Sequence, residues 1–528
     1  MNNTARKWTM ARSLKLFIFL FWAVTLLLPL AAMLSNLAHV NIAQVVTGRA
    51  FKKALSHSIS MGCTATLISV ALAWVLAWCT TRTRIRFKGA FMLLFSLPML
   101  IPSISHGMGL IILLGSNGIL KNLLGLRGSI YGFWGIVTGS VMYSFPVAYL
   151  MLCDVLKYED ATPYEAAEVL GLSRWNRLTA ITFPYLRKPL ISVFFATFTM
   201  IVTDYGVPLM IGGKYTTLPV IMYQDVVGLL DFGKGSVVGL ILLIPSLIAC
   251  ILDMVNKDRS NSAYTTRAFS IGRSKLRDGI AYLLCALASL FVLLPIGMFA
   301  FISIVRQYPH DMSLSLENIA QAMDMGVRAY LSNSIGIALA VAIAGTFAAV
   351  VMAYITARMP SKTSRLVHLM SITSLAVPGI VLGLSYVLFF KGSFIYGSFA
   401  ILILVNMMHF FASPYLMMYN VFGKLNENLE AVGATLGIPR SSILRDVLLP
   451  QSWGTIVEMA AYFFVNSMMT ISAVSFLANV SNKPVALMIT QFEAQNQLEC
   501  AAFVSLLILI TNLFIKGCAA LAKRRLAQ

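Results

Sequence analysis

Apolar residues run along this chain in long unbroken blocks, with little alternation. Twelve stretches approach the ~20 residues that carry a helix across a hydrocarbon core. In the first half they fall at 14–38, 55–79, 90–114, 131–156, 190–212 and 236–255. The second half repeats the count, at 277–305, 331–355, 366–390, 395–421, 454–478 and 500–520. Blocks of this length predict helices, because barrel strands are shorter and alternate apolar with polar positions. Across 528 residues, 58% are hydrophobic and 11% charged, with a mean hydropathy of +0.81. A soluble fold could not cover so much apolar surface, so the lipid bilayer acts as solvent. The expected fold class is an all-α polytopic membrane protein with about 12 transmembrane helices.

The twelve stretches divide into two related sets of six. An offset of 276 aligns Ser58 with Ser334, Ala77 with Ala353, Thr80 with Thr356, Arg82 with Arg358 and Pro102 with Pro378. Further on, an offset of 265 aligns Ile130-Tyr131-Gly132 with Ile395-Tyr396-Gly397. One of 266 aligns Leu170-Gly171 with Leu436-Gly437, Arg174 with Arg440, and Pro184 with Pro450. The offset shrinks because the first half has a longer loop around 115–130. Six spans per half make both halves start on the same side, so the repeats are parallel. Expected boundaries are 1–255 for the first repeat, 256–276 for a linker and 277–528 for the second repeat. The linker gathers Lys257, Arg259, Arg267, Arg273 and Lys275 among Ser, Asn and Thr.

A net charge of +20 changes the picture only through its placement. With the N-terminus inside, 29 of the 40 Lys and Arg lie on the cytoplasmic side. Clusters such as Arg82, Arg84, Arg86 and Lys88 read as topology signals beside anionic lipid, and no nucleic acid is implied. Both termini are expected in the cytoplasm. The stretch after Arg6, Lys7, Arg12 and Lys15 is longer than the ~7–15 apolar residues of a signal peptide and reads as a retained helix. Cysteines at 63, 79, 153, 250, 285, 500 and 518 show no CxxC spacing, so neither a disulfide framework nor a zinc site follows.

Two polar stretches interrupt the apolar pattern at repeat-equivalent positions, in loops at 159–189 and 422–453. The first, EAAEVLGLSRWNRLTAITFP, runs from Glu165 to Pro184. Pro163 to Leu170 predicts a short helix with Pro at its start. Gly171 suits the left-handed turn that ends it, and Ser173 can cap a second helix. Pro184 is expected to break the approach to the next span.

Glu165-Ala166-Ala167, Gly171, Ile181 and Pro184 carry a specific resemblance. They match the EAA signature, EAA-x3-G-x9-I-x2-P, of ABC importer permeases. The resemblance covers both halves and implies a type I importer fold: two fused permease domains, each with a coupling helix docking on a cytoplasmic ATPase. Partners implied are two copies of that ATPase subunit and an extracytoplasmic substrate-binding protein. The second loop departs from the signature. Aligned on Gly437, its EAA slots hold Ala431-Val432-Gly433, Glu430 lies one place early, and Val447 and Pro450 fit.

The chain itself shows no catalytic site. Its nearest phosphate-loop decoy, GGKYTT at 212–217, has Tyr215 after Lys214 and Pro208 where a glycine belongs. No cofactor is expected on this chain; ATP and magnesium would be used by the ATPase partner. The path for solute should be marked by polar groups inside the spans. Asp204 stands out, since an ionised carboxylate at mid-span costs about 2.5–3.5 kcal/mol. Tyr205, Gly206 and Pro208 follow it, and the last two weaken the helix. The equivalent segment of the second half offers Asn466, Thr470 and Ser472, with Ser467 and Ser475 nearby. Six dispersed histidines and 28 methionines imply no metal site.

A twelve-helix secondary transporter driven by an ion gradient is the alternative, with Asp204 as its coupling carboxylate. It does not account for two polar loops at equivalent positions. The segments TDYGVPLMIGG and TISAVSFL resemble those of ferric-iron and 2-aminoethylphosphonate import permeases, which leaves two substrate expectations. The cell inner membrane is the expected location.

Overall fold

The computed structural model describes residues 16–256, 267, 269, 271, 272 and 274–526. Most of the expected linker, and Arg6, Lys7, Arg12 and Lys15, lie outside these residues. The first half comprises α1 (Leu16–His39), α2 (Arg49–Arg82), α3 (Lys88–Leu100), α4 (Ser103–Leu114), α5 (Phe133–Lys157), α6 (Thr162–Val169), α7 (Trp175–Val202), α8 (Gly206–Ile211), α9 (Leu218–Tyr223) and α10 (Phe232–Asn256). The second half comprises α11 (Lys275–Ile302), α12 (Val327–Arg358), α13 (Lys362–Ala376), α14 (Gly379–Phe390), α15 (Phe399–Phe410), α16 (Ala412–Lys424), α17 (Leu429–Thr435), α18 (Leu449–Met469), α19 (Val485–Ala494) and α20 (Leu498–Leu526). A two-stranded antiparallel hairpin, β1 (Val305–Gln307) and β2 (Asp311–Leu314), follows α11.

Among the described residues, nine helices are long and apolar enough to cross a membrane, and two bent pairs raise the number to eleven. The expected stretch 454–478 is the difference. It forms α18, a helix of 21 residues, interrupted by Gln451, Ser452, Glu458 and Asn466, and it stops at Met469. Several other expected spans are broken as well. Stretch 90–114 divides at Ile101–Pro102, and 366–390 bends by 110° at Val377–Pro378. The cause is shared: a residue before proline is pushed to extended backbone, as Ile101 (φ −123°) and Val377 (φ −111°) are. Stretch 395–421 bends by 53° between α15 and α16, where Pro414 cannot donate to the Phe410 carbonyl.

The repeat seen in the residues is a repeat of bonds. Ser58 Oγ accepts from Leu218 N–H at 2.8 Å, and Ser334 Oγ accepts from Val485 N–H at 2.7 Å. Likewise Tyr149 Oη donates to Thr80 Oγ1 at 3.1 Å, and Tyr415 Oη to Thr356 Oγ1 at 2.9 Å. Each pair ties a helix to the element it packs against, at matching heights in the two halves.

The first helix of each half crosses to the other half. On α1, Trp22 Nε1 donates to Met352 Sδ at 3.2 Å, and Tyr386 Oη donates to the Thr25 carbonyl at 2.7 Å. On α11, Pro295 and Phe299 press against Gly109 of α4, where a Cβ would lie 2.8 Å from Pro295 Cβ. Small residues permit such close approach between membrane helices. The two halves are therefore interleaved around a shared centre.

Candidate functional site

Two regions hold the residues singled out above. The first is the pair of polar loops. Helix α6 begins with Pro163 in its first turn, and Gly171 has φ +67°, so the chain turns sharply there. Ser173 Oγ then accepts from Asn176 N–H at 3.2 Å and caps the next turn. In the second loop, α17 is followed by Gly437 at φ +71°.

Pro184 does not break the chain as expected, and Pro450 behaves in the same way. Each lies just after a five-residue π-turn, Leu178–Thr182 and Leu444–Leu448, which runs on into a continuous helix. Phe183 N–H reaches back to the Leu178 carbonyl, and Leu449 N–H to that of Leu444. Widening the helix one residue ahead of the proline accommodates the missing donor and the ring. The segment after Gly171 is thus the base of α7, rather than a separate second helix.

The loops present an apolar edge outward. Leu170 is 76% exposed and its equivalent Leu436 68%, with Val169 and Trp175 exposed beside the first. The signature acids behave differently from one another. Glu165 is half-exposed and accepts from Arg267 Nη1 at 2.7 Å. Glu430 turns inward onto Arg358, with side chains only 11% and 4% exposed. The departure at Gly433 has a steric reason, since a Cβ there would meet Ile443 Cδ1 at 2.4 Å. Ala166 and Ala167 lie on α6, with Ala167 buried.

The second region is a cavity of about 480 Å³ between the halves. It is lined by α5, α7 and α10 from the first half, and by α13, α15, α16 and α18 from the second. Asp204 is the one Asp, Glu, Lys or Arg among its described lining residues, which include Tyr143, His409, Tyr462, Ser374, Ser413 and Ser472. The chain unwinds at Thr203–Tyr205, between α7 and α8. Asp204 Oδ1 accepts from Ser103 Oγ at 2.6 Å, and Oδ2 accepts from Val207 N–H at 3.0 Å. Two lining atoms, His409 Nδ1 and Ser374 Oγ, have no hydrogen-bond partner among the described residues.

The residues flanking Asp204 fit a swapped small-residue contact. A Cβ on Gly206 would meet Ser103 Oγ at 2.4 Å, and a Cβ on Gly379 would meet Ser472 Oγ at 2.4 Å. Gly379 is the repeat equivalent of Ser103, and Ser472 that of Gly206. Each half thus places one serine and one glycine where the chains cross.

Not every residue proposed for the path lines the cavity. Asp204 and Ser472 do. Tyr205 is fully buried, its hydroxyl 2.5 Å from Ser475 Oγ and its ring stacked on Tyr223 at 4.8 Å. Gly206, Pro208 and Thr470 are buried outside the lining, and Asn466 Nδ2 donates to the Tyr462 carbonyl at 2.8 Å. Sequence reasoning missed Tyr143, His409 and Tyr462. A polar side chain within an apolar span was the available signal, but each shares its span with polar residues that do not line the cavity, such as Ser144, Asn406 and Asn466. Among the described residues, no group of three or more His, Cys, Asp or Glu could hold a metal ion.

An all-α membrane architecture built from two repeats, each with a polar loop at the equivalent position, defines a class, and comparison with known proteins agrees. The family model for the binding-protein-dependent transport system inner membrane component matches residues 65–257 and again 345–528. The chain belongs to that family and carries its domain twice; it is a multi-pass inner-membrane permease of an ABC importer, which sets aside the gradient-driven alternative. It is similar to the ferric transport system permease protein FbpB of Actinobacillus pleuropneumoniae, 25% identical over 84% of this chain and 67% of that protein. The molybdenum transport system permease protein ModB of Azotobacter vinelandii is 29% identical over 30% of this chain and 73% of its own length. The sulfate transport system permease protein CysT of Escherichia coli is 26% identical over 43% and 86%. The last two relatives align mostly along their own length with less than half of this chain, as single permease domains would.

Proposed function

We propose that this chain forms the translocation pathway for ferric iron, released to it by an extracytoplasmic binding protein. The observation that carries the reading is the charge of the central cavity: one carboxylate, Asp204, with phenols and hydroxyls and no Lys or Arg among the described lining residues. Ferric iron is a hard cation that favours oxygen donors, which Asp204, Tyr143 and Tyr462 offer. The ammonium of 2-aminoethylphosphonate can pair with Asp204, but its phosphonate would find no Lys or Arg among the described lining residues, so it is the weaker of the two substrates. The relative covering most of the chain is also a ferric permease by name.

ATP and magnesium are used by a separate ATPase, bound as two copies, one under each loop. The exposed apolar edge at Val169, Leu170 and Leu436 supports this docking. Both termini then face the cytoplasm, and in this reading the cavity, whose walls include Met151 and Ser192, belongs to the ATPase side of the path. The buried layer at Tyr205 closes the path on the other side. The test is reconstitution in proteoliposomes with the cognate ATPase and binding protein. ATP-dependent accumulation of ferric iron, and none of 2-aminoethylphosphonate, is expected. The reverse preference would refute the substrate assignment.

A further inference from the structure

We propose that Arg267 and Phe269, two residues between the halves, act as a positioning strap for the first coupling helix. This rests on the reading of α6 as an ATPase-docking helix.

Arg267 is held at three points. Its backbone N–H donates to Asp160 Oδ1 at 3.1 Å, and its carbonyl accepts from Ala161 N–H at 3.0 Å. Its guanidinium donates to Glu165 Oε2 at 2.7 Å. Arg267 is therefore fixed by main chain as well as side chain at the start of α6, which a chance surface ion pair would not require. Hydrogen bonds from the Thr162 N–H and hydroxyl, then from the Arg267 N–H, hold the Asp160 carboxyl below its ordinary range.

Phe269 extends the contact to α2. Its ring covers the Arg82 guanidinium at 3.6 Å and meets the Tyr164 ring edge-on at 5.1 Å. Arg82 in turn donates to Glu159 Oε2 at 2.5 Å and to the Leu156 carbonyl at 2.8 Å. Tyr164 donates to the other Glu159 oxygen at 2.5 Å. One cluster thus joins the end of α2, the start of α6 and the segment that leads to α11 of the second half.

The second loop solves the same problem without a strap. Arg358, the equivalent of Arg82, binds both oxygens of Glu430 and also the carbonyls of Phe422, Leu425 and Asn426. The position equivalent to Glu165 is Ala431, which has nothing to offer a strap arginine. Glu165 therefore acts as a positioning residue for α6, and the outward apolar edge is left for the partner.

The test uses the full chain reconstituted with its ATPase and binding protein. Arg267→Glu sets two like charges together and is expected to lower ATP-driven transport at least threefold. Arg267→Lys keeps the positive charge opposite Glu165 and is expected to hold transport within twofold of wild type. An arginine with no role at Glu165 would leave the two variants alike. Transport by Arg267→Glu equal to wild type, or Arg267→Lys as poor as Arg267→Glu, would overturn the strap. Capture of the ATPase by the wild-type chain is measured alongside. Its failure would defeat the docking reading, whereas normal capture with an unaffected Arg267→Glu would defeat the strap alone.

Discussion

Arg358 grips Glu430 through two nitrogens, Nε to Oε1 at 2.7 Å and Nη2 to Oε2 at 2.5 Å. The pair is nearly out of solvent, and three backbone carbonyls complete the guanidinium's hydrogen bonding. A planar fork matched to a carboxylate is the strongest form of such a contact. It staples the end of α12 to the start of α17, so the second loop is set by its own buried acid. Removing one member leaves the other charge buried and unpaired, at a cost of about 3–5 kcal/mol. Glu430→Gln is expected to lower the thermal stability of the detergent-solubilised chain far more than Glu165→Gln, whose pair is half-exposed. Unfolding of the two variants, followed side by side, checks the order.

The turns after α6 and α17 demand left-handed backbone. Gly171 and Gly437 stand at φ +67° and +71°, and nothing lies within 4 Å of an added Cβ, so only conformation limits substitution. Asparagine tolerates this region and a β-branched residue does not. Gly171→Asn is expected to keep most ATPase capture and transport. Gly171→Val should lose both by an order of magnitude while inserting normally, as read by membrane-fraction yield and pull-down.

Tyr205 bridges the halves above the cavity through Ser475, with Tyr223 stacked between its ring and Phe476. Tyr205→Phe removes the bridge and leaves the packing, a loss of about 1 kcal/mol. That amount shifts a two-state equilibrium about fivefold. A cysteine at 204, in a background free of the seven native thiols, should react several-fold faster with an impermeant reagent added from outside when Tyr205→Phe is present. An unchanged rate would remove Tyr205 from the closure.

Much of this architecture is legible in the residues. Aligning Ser58 with Ser334 and Thr80 with Thr356 located hydrogen bonds that recur in both halves. Gly171 and Gly437 marked turns because few residues other than glycine adopt that backbone readily. The breaks were harder to read. Hydropathy averages over a window, so it merges α3 with α4 and α13 with α14, although Pro102 and Pro378 signal both bends. Pro184 misled, since a proline's effect depends on whether the preceding turn can widen. The pairs Arg82–Glu159 and Arg358–Glu430 join residues far apart in sequence, and no local pattern connects them. The cavity residues Tyr143, His409 and Tyr462 come from separate helices for the same reason.

Asp204 carries the central claim, because it is the one Asp, Glu, Lys or Arg among the cavity's described lining residues. Asp204→Asn preserves the shape and one acceptor oxygen for Ser103 or Val207 while removing the charge. The decisive measurement is initial ferric-iron uptake by proteoliposomes holding the chain, its ATPase and its binding protein, compared between wild type and Asp204→Asn at equal ATPase capture. Uptake by the variant is expected to fall at least tenfold. Uptake equal to wild type would show that the carboxylate does not meet the cation, and would contradict the assignment of this cavity as the iron path.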